Sequence, residues 1–214
     1  MMKVYFLPGI AADERLFKHI RLPAGFETVY INYIKPLKNE TLHAYASRLA
    51  EKIDSTEPFC ILGTSLGGIM AIEISNSLNP VSTIIIGSVP VASQLPGYYR
   101  GISRMGIQKL VPGELYKISA IIKHYFSSSP AEDKKIHIGM IRDADPSFIR
   151  WGINAVLNWT NAQMPKNLIH IHGTRDEVFP YSYTSPTHTI RKGGHVIVIT
   201  HAEEINQILG GILV

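Results

Sequence analysis

The sequence is poor in the features that would make it a disulfide-bonded, membrane-spanning or nucleic-acid-binding protein. It has one cysteine, Cys60, which excludes an intrachain disulfide and a metal site built from several cysteines. It has no run of 18 apolar residues, the length expected of a membrane-spanning helix. Its net charge of +4 is small, and its basic residues lack the density of a nucleic-acid-binding surface. These absences favour a protein with neither a nucleic-acid nor a membrane partner.

The amino-acid content is that of a globular domain with a sizeable core. The chain has 214 residues, of which 45% are hydrophobic and 18% are charged, and this length fits one domain with room for an insertion. The first apolar run, residues 3–7, is ended by Pro8 and Gly9, too early for a signal peptide. We therefore expect a first core strand at this position and a cytoplasmic protein.

The most informative motif is the pentapeptide at residues 63–67, Gly-Thr-Ser-Leu-Gly. It follows the apolar run at residues 59–62 and precedes a helical pattern, so Ser65 is predicted to lie at a sharp strand-to-helix turn with its hydroxyl exposed. Gly63 and Gly67 fit this interpretation, because the strand and helix backbones approach each other closely there. The motif predicts a nucleophilic serine in front of a helix N-terminus.

Strand and helix patterns alternate along the first part of the chain, which predicts a parallel sheet with helices on both faces. Predicted strands lie at residues 3–7, 28–33, 59–62 and 83–87, and a helix at residues 41–53 has one apolar face. The alternation stops at residue 90 and resumes with an apolar strand at residues 167–172. We therefore divide the chain into a core, residues 1–89 and 164–214, and a helical cap, residues 90–163.

Helix patterns fill the predicted cap. Helical segments are expected at residues 98–110 and 114–126, a third begins at a capping box with Ser129 at its head, and a fourth begins at Asp145 and Pro146. An alternative is that these helices only extend the scaffold. At the end of the chain, Thr200 begins a second capping box, which predicts a terminal helix.

A serine nucleophile needs a base, and the base needs an acidic partner that fixes its tautomer. Asp176 follows the strand at residues 167–172, and His195 follows two glycines after the short run at residues 187–190. Both loops are expected at the same sheet edge as Ser65. The chain order of serine, acid and histidine is the order expected of an α/β-hydrolase.

On these motifs the chain resembles the α/β-hydrolase superfamily, in particular its small capped esterases and lyase relatives. The resemblance covers nearly the whole chain and rests on residues 6–10, 63–68, 172–176 and 193–195. It implies that the backbone N–H groups of Ile10 and Leu66 form an oxyanion hole, with Ala11 as a neighbouring candidate. It also implies about six strands, because the chain starts at the strand that precedes the oxyanion loop.

Other candidate residues have simpler explanations. Asp143 and Asp145 are alternative acids, but Asp145 is explained as a helix cap before proline, and Glu177 is expected to face solvent. Structural roles are expected for four buried-type side chains: His170, His172, Trp151 and Trp159. The spacing of His, Asp and Glu residues matches no metal site, and neither a metal nor a cofactor is predicted.

The leading functional hypothesis is hydrolysis of a small carboxylic ester or thioester through an acyl-Ser65 intermediate. Two alternatives remain open. The same three residues could act in lyase chemistry or carbon–carbon bond cleavage, or the protein could bind a ligand without turning it over. The sequence indicates neither the acyl group nor the oligomeric state.

Overall fold

Six parallel strands form one sheet in the computed structural model, which describes residues 1–106, 111–125 and 130–213. The strands are β1 (Met2–Leu7), β2 (Phe26–Tyr30), β3 (Phe59–Thr64), β4 (Ser82–Ile86), β5 (Leu168–Gly173) and β6 (His188–Ile190). Their order in the sheet is β2-β1-β3-β4-β5-β6, and every neighbouring pair is parallel. The predicted sheet of about six parallel strands is thereby confirmed.

Side chains that alternate along the strands build two separate cores, one on each face of the sheet. Tyr5 and Leu7 of β1 belong to the core on one face, while Val4 and Phe6 belong to the core on the other. A strand that is covered on both faces has no polar side, which explains why β3 is buried at all six positions. Helices therefore cover both faces, as the alternating pattern predicts.

Four of the helices belong to the predicted core. They are α1 (Leu42–Ala50), α2 (Leu66–Leu78), the one-turn α7 (Ile197–Thr200) and α8 (Ala202–Ile212). Helix α1 is capped by Thr41, whose side chain accepts a hydrogen bond from the N–H of Ala44. Helix α2 ends at Asn79, which has the left-handed backbone that commonly terminates helices.

The connection between β4 and β5 is helical. It contains α3 (Gly97–Met105), α4 (Gly113–Tyr125), α5 (Ala131–Asp143) and α6 (Pro146–Leu157), after a short 3₁₀ turn at Ala92–Gln94, and its described residues contain no strand. Asp145 caps α6 by accepting a hydrogen bond of 2.8 Å from the N–H of Ser147. Ser129, residues 107–110 and Phe126 lie outside the described residues, and so do the capping box and helix ends predicted there.

Helix α6 packs on the core through aromatic side chains. The Trp151 and Tyr45 ring centroids are 4.3 Å apart, and Phe148 packs against Tyr33 with the ring centroids 4.7 Å apart. Offset and tilted ring pairs at such distances stabilise packing beyond the area that they bury. This cluster packs α6 against α1 and against the segment that follows β2.

Three local predictions differ from the structure. Helix α3, predicted over residues 98–110, ends at Met105, because Gly106 adopts the left-handed backbone that commonly terminates helices. Strand β2 ends at Tyr30 instead of residue 33, because its partner β1 gives way to Pro8 after the last paired positions. Thr200 does not cap α8: it closes the preceding turn, with its hydroxyl directed to the carbonyl of Val196. In the described ranges, none of the helices combines the length and apolar character needed to cross a bilayer.

Candidate active site

Ser65 lies at the turn between β3 and α2 with a backbone that non-glycine residues rarely adopt. Its φ and ψ angles are 53° and −121°. Such a conformation costs on the order of 1–3 kcal/mol and persists only where its surroundings hold it. The N–H of Ser65 donates to Ile86 over 3.1 Å, and the Ser88 hydroxyl donates to the Ser65 carbonyl over 2.7 Å. Strand β4 and the residues after it therefore fix the turn.

The two glycines of the pentapeptide lie where no side chain fits. A Cβ on Gly63 would overlap the Gly67 carbonyl, and a Cβ on Gly67 would overlap the carbonyls of Leu7 and Pro8. The close contact at Gly67 also shows that the end of β1, which leads into the oxyanion loop, lies against the start of α2. The close approach predicted from the sequence is present.

Ser65, His195 and Asp176 form a continuous hydrogen-bonded chain. The Ser65 Oγ lies 2.9 Å from Nε2 of His195, and Nδ1 of His195 lies 2.9 Å from Oδ2 of Asp176. The Asp176 side chain is fully buried, whereas that of His195 is 20% exposed. This arrangement fixes Nδ1 as the protonated nitrogen and leaves the Nε2 lone pair facing the serine hydroxyl.

Asp176 is held as an acceptor. Its Oδ1 accepts hydrogen bonds of 2.8 and 2.9 Å from the N–H groups of Val178 and Phe179. Burial by itself raises the pKa of the Asp176 carboxyl, but the hydrogen bond and charge of His195, with the Phe179 N–H and His172, leave this pKa below its usual range. The carboxylate is therefore ionised at neutral pH.

Behind Asp176, the buried side chains of His170 and His172 form a hydrogen bond whose donor and acceptor can be assigned. Nε2 of His172 lies 2.8 Å from the Phe179 carbonyl, which can only accept, so this nitrogen carries the proton. Nδ1 of His172 must then accept from Nε2 of His170, 3.1 Å away. Burial lowers the pKa of both imidazoles, and each is also lowered by a neighbouring histidine. Both rings are neutral, and His172 fixes the loop that carries Asp176.

The loop after β1 runs alongside Ser65. A Cβ on Gly9 would lie 3.3 Å from Cβ and 3.9 Å from Oγ of Ser65. Ile10 lies in a loop, and in the described part of the chain its N–H has no hydrogen-bond acceptor. Leu66 is the first residue of α2, and a helix leaves its first N–H groups without an intrahelical partner. Gly9, the residue before Ile10, thus packs against the serine side chain, and Leu66 follows the serine directly in the chain.

Comparisons with known proteins bear on the fold. No model of a protein family matches the sequence, and no curated protein matches it either. Solved structures do match over nearly the whole chain. One is MenH from S. aureus, with 15% sequence identity, a TM-score of 0.74, and 99% of this chain and 93% of that chain covered. Another is a hydrolase from Pseudomonas aeruginosa PA01, with 13% identity, a TM-score of 0.78, and coverage of 99% and 89%.

A third is a thermophilic esterase from Thermogutta terrifontis, with 16% identity, a TM-score of 0.71, and coverage of 98% and 88%. The similarity over nearly the full length agrees with the parallel sheet and its strand order. The chain has the α/β-hydrolase fold. In an α/β-hydrolase fold, ligands bind at the carboxyl ends of the strands. Ser65, Asp176 and His195 all lie at that edge, after β3, β5 and β6.

The alternative acids do not take the place of Asp176. Asp143 is exposed and pairs with Arg15 at 2.8 Å, Asp145 caps α6, and Glu177 is exposed. Trp159 is buried and donates to the Glu73 carboxylate over 2.6 Å, while Trp151 donates to the Glu40 carbonyl. In the described part of the chain, no three His, Cys, Asp or Glu side chains are grouped to hold a metal ion.

Three residues that the sequence did not single out contact the site or its supports. Tyr99 of α3 donates a hydrogen bond of 2.6 Å to the carbonyl of Val178, in the Asp176 loop. Glu73 of α2 joins the nucleophile helix to Trp159 and to His43. Gly152 of α6 faces Ile10 and Leu66. An isolated Glu within an apolar helix was the one visible signal among them, since a buried carboxylate requires partners.

Proposed function

We propose that the protein is a serine hydrolase that cleaves a small carboxylic ester or thioester through an acyl-Ser65 intermediate. The observation that carries the proposal is the hydrogen-bonded chain from Ser65 through His195 to Asp176, with distances of 2.9 Å at both links. A hydroxyl in this arrangement can lose its proton as it attacks. The α/β-hydrolase fold and the hydrolases and esterases among the similar structures support the same chemistry.

In the first half of the reaction, Ser65 Oγ attacks the carbonyl carbon while its proton moves to Nε2 of His195. The carbonyl oxygen becomes an oxyanion that accepts hydrogen bonds from the N–H groups of Ile10 and Leu66. The tetrahedral intermediate then expels the alcohol or thiol, which takes the proton from His195. Buried Asp176 stabilises the imidazolium between these two transfers without itself being protonated.

In the second half, a water molecule replaces the leaving group. His195 takes a proton from the water as the water oxygen attacks the acyl carbon. The bond between the acyl carbon and Oγ of Ser65 then breaks. Ser65 recovers the proton from His195 and the carboxylic acid leaves. An oxyanion-hole donor contributes roughly 3–4 kcal/mol to such steps, so the loss of one N–H would lower kcat by about 100–1,000-fold.

We assign residues 90–163 as the cap over this site. Helix α6 packs on Tyr45 of α1 through Trp151, and α3 contacts the Asp176 loop through Tyr99. These contacts fit a cap beneath which excluded water favours acyl transfer.

Covalent labelling tests the assignment of the nucleophile. A fluorophosphonate probe should label the wild-type protein and fail to label Ser65→Ala. Ser47→Ala is the matched control, because Ser47 is exposed on α1 and bonds only to the His43 carbonyl within its helix. Labelling that survives in Ser65→Ala would refute the assignment.

Pre-steady-state kinetics separate hydrolysis from the alternatives. With p-nitrophenyl esters of increasing acyl length, an acyl-enzyme that is hydrolysed more slowly than it forms gives a burst of nitrophenol equal to the active-site concentration. Labelled protein that shows no turnover across the ester and thioester panel would instead indicate a ligand-binding protein. Product formation without a burst or a trapped acyl-enzyme would indicate chemistry in which Ser65 is not acylated.

A further inference from the structure

Helix α6 lies directly on the side chains of the two residues assigned to the oxyanion hole. An added Cβ on Gly152 would be 2.8 Å from Cδ1 of Ile10 and 3.0 Å from Cδ2 of Leu66. Carbon atoms pack favourably at about 3.5–4.0 Å, so a methyl group at this position would fit only if the ends of both side chains moved. Gly152 thus contacts both segments that carry the assigned oxyanion donors: the loop after β1 and the start of α2.

The oxyanion loop depends on such contacts for its shape. Ala11, directly after Ile10, has a φ of 57°, the left-handed region that costs an alanine roughly 1–2 kcal/mol. A strained backbone persists only when neighbouring groups hold it in place. One anchor is the hydroxyl of half-buried Tyr33, which donates to the Pro8 carbonyl. The packing of Ile10 against Gly152 is a second anchor, on the side that faces α6.

We propose that Gly152 is a positioning residue of the oxyanion hole. Its missing side chain lets α6 press on Ile10 and Leu66, and this contact sets the spacing of their two N–H groups. The inference rests on the proposed function, because it needs a reaction in which those N–H groups bind an oxyanion. It gives the cap a role in catalysis as well as in covering the site.

Other glycines of the connection provide matched controls. A Cβ on Gly101, within α3, meets nothing within 4 Å. A Cβ on Gly113, at the start of α4, would overlap the backbone of Pro146, a contact inside the connection that involves neither Ile10 nor Leu66. Glycine-to-alanine changes at these two positions separate a general effect on the helices from a specific effect on the hole.

Gly152→Ala should lower kcat for a p-nitrophenyl ester, and the rate of phosphonate labelling, by about 10–100-fold, because displacements of under 1 Å have effects of this size. KM should change by less than about threefold, since the contact acts on transition-state binding. The pH profile should keep its shape, because Gly152 does not touch His195 or Asp176. Gly101→Ala should match the wild type, and Gly113→Ala should lower the melting temperature with kcat retained below it.

A compensating change makes the test specific. Ile10→Val removes Cδ1, the nearest of the side-chain atoms that the new methyl group would meet, so Gly152→Ala should cost less kcat in the Ile10→Val background. Additive effects in this double-mutant cycle, or equal losses in Gly152→Ala and Gly113→Ala, would overturn the inference alone. A wild-type protein that neither reacts with the phosphonate nor cleaves any ester would overturn the proposed function and the inference together.

Discussion

Acidifying the solution from pH 7 to pH 5 should destabilise the fold through His170, a histidine that has almost no exposed surface. Burial, and then the neighbouring His172, lower the pKa of His170 from 6.5 to about 3. Between these values the unfolded chain binds a proton that the folded chain refuses, so stability falls as the pH falls. Above pH 6.5 the imidazole is neutral in both states, and this contribution to stability is complete.

The size of the effect follows from the two pKa values. A pKa difference of one unit corresponds to 1.36 kcal/mol, and pH 5 lies about 1.5 units below the unfolded value, so His170 alone should cost about 2 kcal/mol there. With a urea dependence of about 2 kcal/mol per M, the unfolding midpoint should fall by about 1 M. His172, whose pKa is lowered by the same burial, adds to the loss.

Urea titrations of the wild type and of His170→Gln at pH 8, 7 and 5 measure this contribution. Glutamine keeps an N–H donor for Nδ1 of His172 but does not titrate, so the variant should lose about 2 kcal/mol less than the wild type between pH 7 and 5. The stability difference between the two proteins should stay constant from pH 8 to 7. Equal losses between pH 7 and 5 would refute the reasoning.

Two further predictions concern the hydrogen-bonded chain. His195→Ala should lower kcat more than a thousandfold and Asp176→Asn by a comparable or smaller factor, whereas Asp143→Asn, in an exposed ion pair, should leave the steady-state kcat unchanged. Tyr99→Phe should lower kcat several-fold, about the worth of one hydrogen bond of 1 kcal/mol, because its hydroxyl holds the Val178 carbonyl beside the Asp176 loop. Wild-type kcat in Tyr99→Phe, or a full thousandfold loss in Asp143→Asn, would contradict these assignments.

The sequence predicts most of the sheet because its central strands are covered on both faces. Strands of that kind are continuous apolar runs, and β3 and β4 are recognised on that basis alone. The turn at Ser65 is equally local, since its glycines are required by an approach between adjacent elements. Ser65, Asp176 and His195 could be brought together in advance because parallel strands place the loops at their carboxyl ends along one edge.

What the sequence does not predict depends on contacts between distant segments. The end of β2 is set by its partner strand, and a capping box at Thr200 competes with a turn that begins at Val196. The partners of Glu73 lie 30 and 86 residues away in the chain. The sequence gives no sign that Gly152 differs from the other glycines of the helices, and only its contact with Ile10 distinguishes it.

The residues of the hydrogen-bonded chain follow strands at different distances from the edge of the sheet, and this affects how heat would inactivate the protein. Ser65 follows the central strand β3, but His195 follows β6, an edge strand of three residues that pairs only with β5. Short edge elements open with less free energy than the global unfolding transition. Opening β6 would withdraw the histidine while the rest of the sheet stays folded. The opening of β6, which amide exchange measures, and not the melting of the core, then sets the temperature above which the three side chains are no longer held together.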